Sequence, residues 1–409
     1  MWFLVAEHLR LGSWDLVKGL TDGGDNDISP RFAMQLINEA SLCKNRVRSD
    51  NFINSQGFEL LNGMSVLASD NHIHNLLNEH TVEQAIALQD ALAVIRNNRG
   101  HYSSNAIAID PHRIITTSSR TMQMKKKQPN QPAKKVLQSF FANDSITGQP
   151  LACGIGSPGK NTAKATLELL DRVKMIKPNS LIIADKEHFG KALIDDIKNN
   201  YDFEFLVPVI SSKKLRTIEH SIEYKRLWAG YAIAETTYSF SSSKEKYRLV
   251  VQREGETLET YVYKSFLTLS NKPAQELIAE RYDERWSIEE FFNFDGAMGF
   301  DRASTFNLNI RYNKMSLALI AQAANYEFRK KLPSPFKTWN AQHLSDAVFR
   351  NIDGDIRTKD DTIIVTCYNA PKEFNLQENY QNLPQKLAAE GIDPRVPWLY
   401  NFKLDFRFK

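Results

Sequence analysis

The chain has 409 residues, of which 42% are hydrophobic and 24% are charged, and its formal net charge is +4 at pH 7. These values are typical of a globular protein with a large core and two or three domains. The mildly basic balance permits a polyanionic partner without requiring one.

The cysteine content and the hydropathy exclude several classes of protein. Cys43, Cys153 and Cys367 lie far apart and fit neither a metal-ligand spacing nor a disulfide framework, so we expect a reducing compartment. No stretch approaches about 18 consecutive apolar residues, which excludes a membrane-spanning helix. The apolar run at the start is interrupted by Glu7 and His8, which argues against a signal peptide.

Residues 1–100 are predicted to be helical. Apolar residues recur at helical spacing in residues 31–47 and 81–98, and Thr81 with Gln84 resembles a capping box. Three histidines fall between these segments, but no cysteines or further acids complete a metal-ligand pattern. We therefore interpret them as surface or capping residues: His72, His74 and His80.

The character of the sequence changes at Asn105. Strands are predicted at 106–110, 113–119, 135–144 and 150–156, followed by helix 161–176, strand 180–185, helix 188–200 and strand 203–210. Strands that alternate with helices imply parallel pairing, whereas the first strands suit antiparallel pairing. The sequence therefore predicts an α/β fold, a mixed sheet flanked by helices.

Residues 211–271 break this alternation. They are rich in Tyr, Thr, Val and Phe, and they predict an inserted antiparallel β subdomain. Beyond a long helix and a second helix at 310–332, the tail is predicted to contain helix 341–352 and strand 361–368. The last residues, 399–409, suit an edge strand.

The long helix is predicted at Ala274–Asp301. Tyr282, Arg285 and Glu289 are spaced i, i+3 and i+7, which places them on one face of a regular α-helix. Three large apolar side chains are expected to be buried and to anchor it: Trp286, Phe291 and Phe292. This face is either a scaffold for charged chemistry or an ordinary ion-pair surface, and the helix alone leaves both open.

A glycine-rich segment offers a different function. Gly154, Gly156 and Gly159 match G-x-G-x-x-G between a predicted strand and helix, and Asp185 closes the next strand, as in dinucleotide-binding folds. Asn161 stands where a phosphate loop requires Ser or Thr. Because the unit is central and a β meander follows it, a simple strand-to-helix turn explains it better, with a nucleotide-dependent oxidoreductase as the alternative.

A basic run lies between Asp110 and Asp144, an interval without any acidic residue. One-signed charge of this density suits contact with a phosphate backbone, although a solvated loop explains it equally well. The positive residues are Arg113, Arg120, Lys125, Lys126, Lys127, Lys134 and Lys135.

Asp110 and Asp185 each end a predicted strand, so their carboxylates are expected in one crevice at neighbouring strand ends. The long helix can bring Glu289 to the same place. Carboxylates without Cys or His ligands favour Mg²⁺ or Mn²⁺, and two such ions about 3.5–4 Å apart clamp the oxygens of a phosphoryl transfer. The alternative is that the aspartates cap the turns that follow them.

Three segments together resemble the DDE transposases of bacterial insertion sequences, in the cut-and-paste group with a β insertion before the last Glu. The segments are 106–110, 180–190 and 282–292. The signature of that group is Tyr, two residues, Arg, three residues, Glu, six residues, Lys. Tyr282, Arg285 and Glu289 match it, but Gly296 stands in the place of Lys. The departure leaves a nuclease or an inactive transposase-derived DNA-binding protein as alternatives.

The resemblance implies a ribonuclease H-like core that cleaves and joins DNA. Asp110, Asp185 and Glu289 are then the catalytic residues and the ligands of two Mg²⁺ or Mn²⁺ ions. It also implies a double-stranded DNA partner (the element's inverted repeats and a target), a homodimer in the DNA complex, no membrane contact, and a cytoplasmic location at the bacterial nucleoid. The DNA-contacting residues are expected to be Tyr282, Arg285, Arg113, Arg120, Lys125, Lys126, Lys127, His188 and Phe189.

The same resemblance suggests four parts of the chain. A helical region at 1–100 is expected to bind the transposon ends, and residues 101–210 with 272–332 form the catalytic core. The β insertion occupies 211–271, and an α+β tail occupies 333–409.

Overall fold

The structure is a computed structural model that describes residues 1–409 apart from 25–26, 45–55, 123, 127–129, 131, 157–160, 242, 244 and 303–304. Its internal contacts define two units, one of residues 1–96 with 292–409 and one of residues 97–291. The sequence interpretation assigned residues 292–332 to the catalytic core, whereas the contacts group them with the N-terminal residues.

The N-terminal region is helical, as predicted. No described helix is both long enough and apolar enough to cross a membrane. The α-helices are α1 (Phe3–Arg10), α2 (Ser13–Thr21), α3 (Ile28–Ser41), α4 (Gln56–Leu61), α5 (Asp70–Glu79), α6 (Val82–Asn98), α7 (Thr162–Ile176), α8 (Lys191–Asn200), α9 (Lys213–Ser221), α10 (Ala274–Glu276), α11 (Trp286–Asp295), α12 (Leu308–Lys331), α13 (Ala341–Leu344), α14 (Leu376–Tyr380) and α15 (Leu383–Ala389).

The strands form two sheets. They are β1 (Ala106–Ile115), β2 (Met124–Lys125), β3 (Lys134–Asp144), β4 (Pro150–Gly156), β5 (Leu181–Ala184), β6 (Glu204–Pro208), β7 (Lys225–Trp228), β8 (Tyr231–Tyr238), β9 (Tyr247–Glu254), β10 (Val262–Thr268), β11 (Gly354–Lys359), β12 (Thr362–Cys367), β13 (Arg395–Val396) and β14 (Phe402–Phe408).

The larger sheet is mixed, as predicted. Its strand order is β2-β3-β1-β5-β6-β10-β9-β8-β7, and β4 pairs with β3. β1, β3 and β4 pair antiparallel, whereas β1, β5 and β6 pair parallel through the crossover helices α7 and α8. Counted along the chain without the short β2, the first five strands therefore lie in the order 3-2-1-4-5.

The β insertion is antiparallel, as predicted, but it continues the main sheet. β10 pairs antiparallel with β6, with Leu267 opposite Val207, and β9, β8 and β7 follow outwards. Leu267 and Phe266 are buried on opposite faces of β10, so each face of the insertion extends a core of the main sheet. The segment also begins with a helix, α9, which the β-type composition did not predict.

The predicted long helix of residues 274–301 is interrupted. After α10, residues 277–281 form a π-helix and residues 283–285 a 3₁₀-helix before α11 begins. The Tyr282 N–H donates to the Leu277 carbonyl (3.0 Å) and the Arg285 N–H donates to the Tyr282 carbonyl (3.1 Å). These five- and three-residue hydrogen-bond spacings change the rotation per residue, so regular α-helical spacing does not relate Tyr282 to Arg285. Arg285 and Glu289 retain their i, i+4 contact.

The prediction that Trp286 is buried is wrong. Its side chain is 56% exposed, whereas Ile288 and Phe291 are buried and the Phe291 ring lies 5.7 Å from that of Phe141. α11 therefore buries a stripe through Ile288 and Phe291. Trp286 lies on the exposed stripe with Glu290, one turn further along the helix.

The unit formed by residues 1–96 and 292–409 contains the second sheet, in the order β11-β12-β14-β13. β14 pairs parallel with β12 and antiparallel with β13, so the C-terminal strand is internal in the sheet, not at its edge as predicted. The predicted capping box is confirmed, because the Thr81 N–H donates to Gln84 Oε1 (2.8 Å) and the Gln84 N–H donates to Thr81 Oγ1 (3.3 Å).

The backbone of Gly63 lies so close to that of Trp398 that it leaves no room for a side chain. Its φ is +65°, and a Cβ there would lie 1.9 Å from the Trp398 carbonyl oxygen. The Tyr400 hydroxyl donates to the Gly63 carbonyl at 3.1 Å. We expect Gly63→Ala to lower the free energy of unfolding by about 3 kcal/mol, since it adds a backbone clash to the cost of a positive φ. Denaturant titration measures this.

Gly100→Ala is the matched control, because Gly100 has φ +68° and no atom lies within 4 Å of the position that its Cβ would occupy. It should lose only about 1 kcal/mol, the cost of a left-handed backbone for a residue with a side chain. Equal losses for the two variants would show that the clash with the Trp398 carbonyl oxygen adds nothing to the loss of stability.

Candidate active site

The register of β1 and β5 aligns two aspartates. Ile109 pairs with Ala184 at the end of the parallel ladder. Asp110 is the next residue of β1, and Asp185 directly follows the end of β5. Side chains alternate along strands, so Asp110 lies on the face of Ala106, and Asp185 on the face of Leu181 and Ile183. The apolar residues of this face pack against Leu277 and Ile278, in the segment that leads to Tyr282 and Arg285.

One detail of the sequence prediction is wrong here. Asp110 does not end a strand, because β1 continues to Ile115 and its second half pairs with β3 alone, with Arg113 opposite Gln138. Only the pairing with β5 stops at Ile109. The crevice expected at the strand ends is therefore the place where β5 stops beside a longer β1.

The electrostatics of Asp110 show that the three carboxylates are neighbours. Its side chain is 20% exposed. Burial, and then the negative charge of Asp185, raise the pKa of Asp110 to about 7. Arg285 and His188 oppose this effect, and Glu289 adds to it. Two mostly buried acids and the more exposed Glu289 repel one another, so the site favours a positive charge.

Asp185 is held in place by its own turn. Its Oδ1 accepts from the Glu187 N–H and from His188 Nδ1, each at 2.9 Å. Burial opposes ionisation, but the hydrogen bonds and charge of His188 hold the pKa of Asp185 below its ordinary value. His188 is 1% exposed, so it supports the carboxylate from inside the fold, and its Nε2 is buried without a hydrogen-bond partner among the described residues.

Arg285 supplies the positive charge between two of the acids. Its Nη1 lies 3.6 Å from Asp110 Oδ1 and its Nη2 lies 3.3 Å from Glu289 Oε1. The Tyr282 ring, on the same segment, packs edge-on against Phe266 at 4.6 Å. The structure thus brings together Asp110, Asp185, Tyr282, Arg285 and Glu289, whereas Glu290 is exposed on the other side of α11.

The acids of this site have the donor chemistry that a divalent ion needs. Within the residues that the structure describes, no group of three His, Cys, Asp or Glu side chains is already arranged to hold a metal ion. The chemistry of the acids nevertheless fits one, because Mg²⁺ and Mn²⁺ prefer carboxylate oxygens and would relieve the repulsion that raises the pKa of Asp110. In this structure the guanidinium of Arg285 lies between Asp110 and Glu289 and supplies the positive charge.

The basic run is tied to this site through Arg113. Its guanidinium forms an ion pair with Glu187, two residues after Asp185, and its Nη1 donates to the Lys126 carbonyl at 2.7 Å. Sequence reasoning did not single out Glu187. Its position next to Asp185 was the only available signal, because its partner lies 74 residues earlier in the chain.

The remaining predicted DNA-contacting residues lie in different surroundings. Arg120 and Lys126 are exposed, and Lys125 Nζ donates to Gln138 Oε1 at 3.0 Å. Phe189 is half-buried against Tyr238 and Phe240, with ring centroids 6.0 and 5.3 Å away. Lys127 lies outside the described residues.

Gly296, which occupies the signature position of Lys, has a local structural role. Its carbonyl accepts from the N–H groups of Gly299, Phe300 and Asp301, and a Cβ would lie 2.3 Å from Asp301 Oδ2. A lysine therefore does not fit this turn without movement of Asp301. Of two cations that follow in the sequence, Arg302 is exposed and Lys314 is half-buried.

The glycine-rich segment lacks the arrangement of a dinucleotide site. Gly154 and Gly156 lie in β4, and Gly159 falls outside the described residues. β4 pairs antiparallel with β3, whereas the dinucleotide fingerprint belongs to a strand in a parallel βαβ unit. The oxidoreductase alternative therefore has no support in the topology.

Comparison with known proteins gives a family. The model of the Transposase DDE domain matches residues 101–323, and no curated protein matches the chain. Among solved structures, a chain of the piggyBac transposase synaptic complex with hairpin DNA is similar at 12% identity and a TM-score of 0.45. The similarity covers 84% of this chain and 79% of that one. Since the family model spans more than half of its residues, the chain belongs to the DDE transposase domain family.

Proposed function

We propose that this protein is the transposase of an insertion sequence, and that it cleaves and joins DNA in a ribonuclease H-like core. The observation that carries the proposal is the alignment of Asp110 and Asp185 at the end of the β1–β5 ladder, on the face that Arg285 and Glu289 share. The strand order 3-2-1-4-5 of the mixed sheet supports the assignment of the core.

The proposed metal ligands are Asp110, Asp185 and Glu289. The family generally uses divalent metal ions, and two ions bound here would activate the attacking oxygen and stabilise the leaving oxygen of a phosphoryl transfer. His188 fixes the orientation of the Asp185 carboxylate through its Nδ1 hydrogen bond, as a supporting partner does for a metal-binding carboxylate.

Arg285 and Tyr282 are proposed to position the phosphates of the transposon end. Arg285 is half-buried, and its five donors suit both a carboxylate and a phosphate. Cations bound to the acids would take over the neutralisation of Asp110 and Glu289, and the guanidinium would then be available to a DNA phosphate. The basic run, anchored by Arg113, adds contacts that fix the duplex without reading its sequence.

The larger assignments follow from the same proposal. The helical residues 1–100 bind the inverted repeats at the transposon ends, residues 101–210 and 272–332 supply the catalytic core, and the protein acts as a homodimer on double-stranded DNA at the nucleoid. The lysine missing at Gly296 is not needed if Arg285 and the basic run hold the phosphates.

The test uses the purified protein and a labelled DNA fragment that carries the sequences flanking its gene. With Mg²⁺ or Mn²⁺ we expect cleavage at the fragment's inverted repeats and joining of the released end to a plasmid, and EDTA should abolish both. Cleavage without joining would indicate the nuclease alternative. Binding without cleavage in either metal would indicate an inactive DNA-binding relative and contradict the proposal.

A further inference from the structure

The turn between β3 and β4, residues 145–149, lies against the segment that carries Arg285. Ser145 is 3% exposed, and its hydroxyl donates a hydrogen bond to Glu284 Oε2, on the residue immediately before Arg285. The two residues are 139 positions apart and belong to the same unit, residues 97–291. This contact therefore ties the segment of the proposed active site to a turn of the main sheet.

The other oxygen of Glu284 is held within its own segment. Glu284 Oε1 accepts a hydrogen bond from Arg281 Nη1 at 2.9 Å, and Arg281 Nε donates to Glu276 Oε1 at 3.3 Å. The Glu284 side chain is only 21% exposed. Because donors on two sides occupy both of its oxygens, the orientation of this carboxylate is fixed before any ligand binds.

The turn itself is fixed on the start of β1. The Ser145 N–H donates to the Ala106 carbonyl oxygen at 3.1 Å, and the Ala106 N–H donates to Ser104 Oγ at 2.9 Å. Ser104 Oγ lies 2.8 Å from Ser145 Oγ. A hydroxyl has a single proton to donate, so Ser104 donates to Ser145 and Ser145 donates to Glu284. Asp110 lies four residues further along β1, so the turn and Asp110 share one rigid strand.

A second contact lies on the other side of Arg285. Gly148 has φ +67°, and a Cβ at this position would lie 3.1 Å from the Ser287 carbonyl oxygen and 3.9 Å from Phe291 Cβ. The first turn of α11 therefore packs directly on the backbone of Gly148. Residues 145–149 contact the chain both before and after Arg285.

The segment before α11 depends on such support. Between residues 277 and 285 the backbone hydrogen bonds have π and 3₁₀ spacings, so no regular α-helix fixes the direction in which Arg285 points. Its guanidinium nevertheless reaches Asp110 Oδ1 at 3.6 Å and Glu289 Oε1 at 3.3 Å. A displacement of the segment would change both distances and would move Glu289 with them.

We propose that Ser145 and Gly148 are positioning residues, which set the place of Arg285 and Glu289 relative to Asp110. They act through Glu284 and through the start of α11, and not by contact with DNA or metal. The inference rests on the proposed function, since it assigns to that reaction two residues outside the site itself.

The first test needs neither metal nor cleavage. Ser145→Ala removes the donor, while Glu284 keeps its contact with Arg281. In hydrogen–deuterium exchange of the full chain in EDTA, we expect the amides of residues 282–289 to exchange roughly fivefold faster than in the wild type. The amides of α7 should be unchanged. Wild-type exchange at residues 282–289 would overturn the proposal.

The second test separates positioning from a general loss of structure. With Mg²⁺ and saturating DNA, Ser145→Ala should cleave a transposon end roughly tenfold more slowly, while its affinity for that DNA stays within about twofold of the wild type. An equal fall in rate and affinity would contradict a positioning role. The double variant Ser145→Ala/Glu284→Ala should lose no more than Glu284→Ala alone, because both changes break one contact. Additive losses would show that Ser145 does not act through Glu284.

Two controls complete the design. Glu280→Ala removes an exposed acid from the same segment and should cleave at the wild-type rate. Gly148→Ala adds a side chain against Ser287 and should lower the rate roughly tenfold. Gly100→Ala, at φ +68° with open space around it, should retain the wild-type rate. Equal rates for the two alanine variants would exclude the role of Gly148.

The exchange assay and the cleavage assay fail independently. A wild type that cleaves no DNA contradicts the proposed function, while exchange at residues 282–289 still tests the support from Ser145. A wild type that cleaves and joins DNA, with Ser145→Ala and Gly148→Ala equal to it in both assays, contradicts the positioning role alone.

Discussion

Asp185→Asn and Glu289→Gln are expected to reduce metal-dependent cleavage of a transposon end on the order of a thousandfold or more. Each change keeps the volume of the side chain but removes the charge that holds a cation. DNA binding should survive within about twofold, because most of the binding energy comes from Lys and Arg contacts to phosphates, which neither change removes. Gel-shift and cleavage assays on the same labelled fragment measure both quantities.

Glu290→Gln provides the matched control for Glu289→Gln. Glu290 is exposed on the stripe of α11 that also carries Trp286, whereas Glu289 lies 3.3 Å from Arg285 in the cluster of acids. We expect normal cleavage from Glu290→Gln. Full cleavage by Asp185→Asn or Glu289→Gln, or an equal loss from Glu290→Gln, would exclude the assigned catalytic triad.

The parts of the fold that were predictable have local causes. Residues 106–109 and 181–184 are short, continuous apolar runs followed by an aspartate, as expected for strands buried on both faces. Because parallel strands in one sheet share their direction, the two following aspartates had to lie near the same edge. The place of the two acids at one edge therefore depended little on the rest of the chain.

The segment that holds Arg285 and Glu289 was less predictable, because its geometry depends on packing. Apolar residues recur at helical spacing in 274–301, which predicts a helix. The spacing does not reveal that the backbone hydrogen bonds change to π and 3₁₀ patterns around Tyr282. The same limit applies to Trp286, whose exposure follows from where α11 starts.

The long-range pairings could not be predicted from the sequence, for a different reason. β10 pairs with β6 across the whole of α9 and the β7–β9 meander, and Arg113 pairs with Glu187 across four strands and a helix. Neither partner is marked by any local pattern. The composition therefore predicted an insertion of strands but not that it would extend the main sheet.

Asp110→Asn should abolish cleavage and yet stabilise the metal-free protein. Burial and the charge of Asp185 raise the pKa of Asp110 from 3.8 to about 7, so the folded protein binds this proton more tightly than the unfolded chain does. Stability is therefore lost as the pH rises from about 4 to about 7, and the full cost, up to about 4 kcal/mol, is present above pH 7. The amide of Asn carries no charge and avoids this cost.

Denaturant unfolding in EDTA at pH 4.5 and pH 8 measures the difference. The gain of Asp110→Asn over the wild type should be small at pH 4.5 and reach a few kcal/mol at pH 8. Asp202→Asn, at an exposed position, should match the wild type at both values. A gain that does not change with pH would mean that the change improves packing and that Asp110 is not held in a repulsive cluster.

Added Mg²⁺ should make the wild type more stable than Asp110→Asn, the reverse of the order expected without metal. A cation that binds only the folded protein raises its stability, so the wild type should gain melting temperature with Mg²⁺ concentration. Asp110→Asn, which lacks one of the three proposed ligands, should gain much less. If Mg²⁺ stabilised both proteins equally, the ion would bind elsewhere, and Asp110 would owe its raised pKa to a structural role.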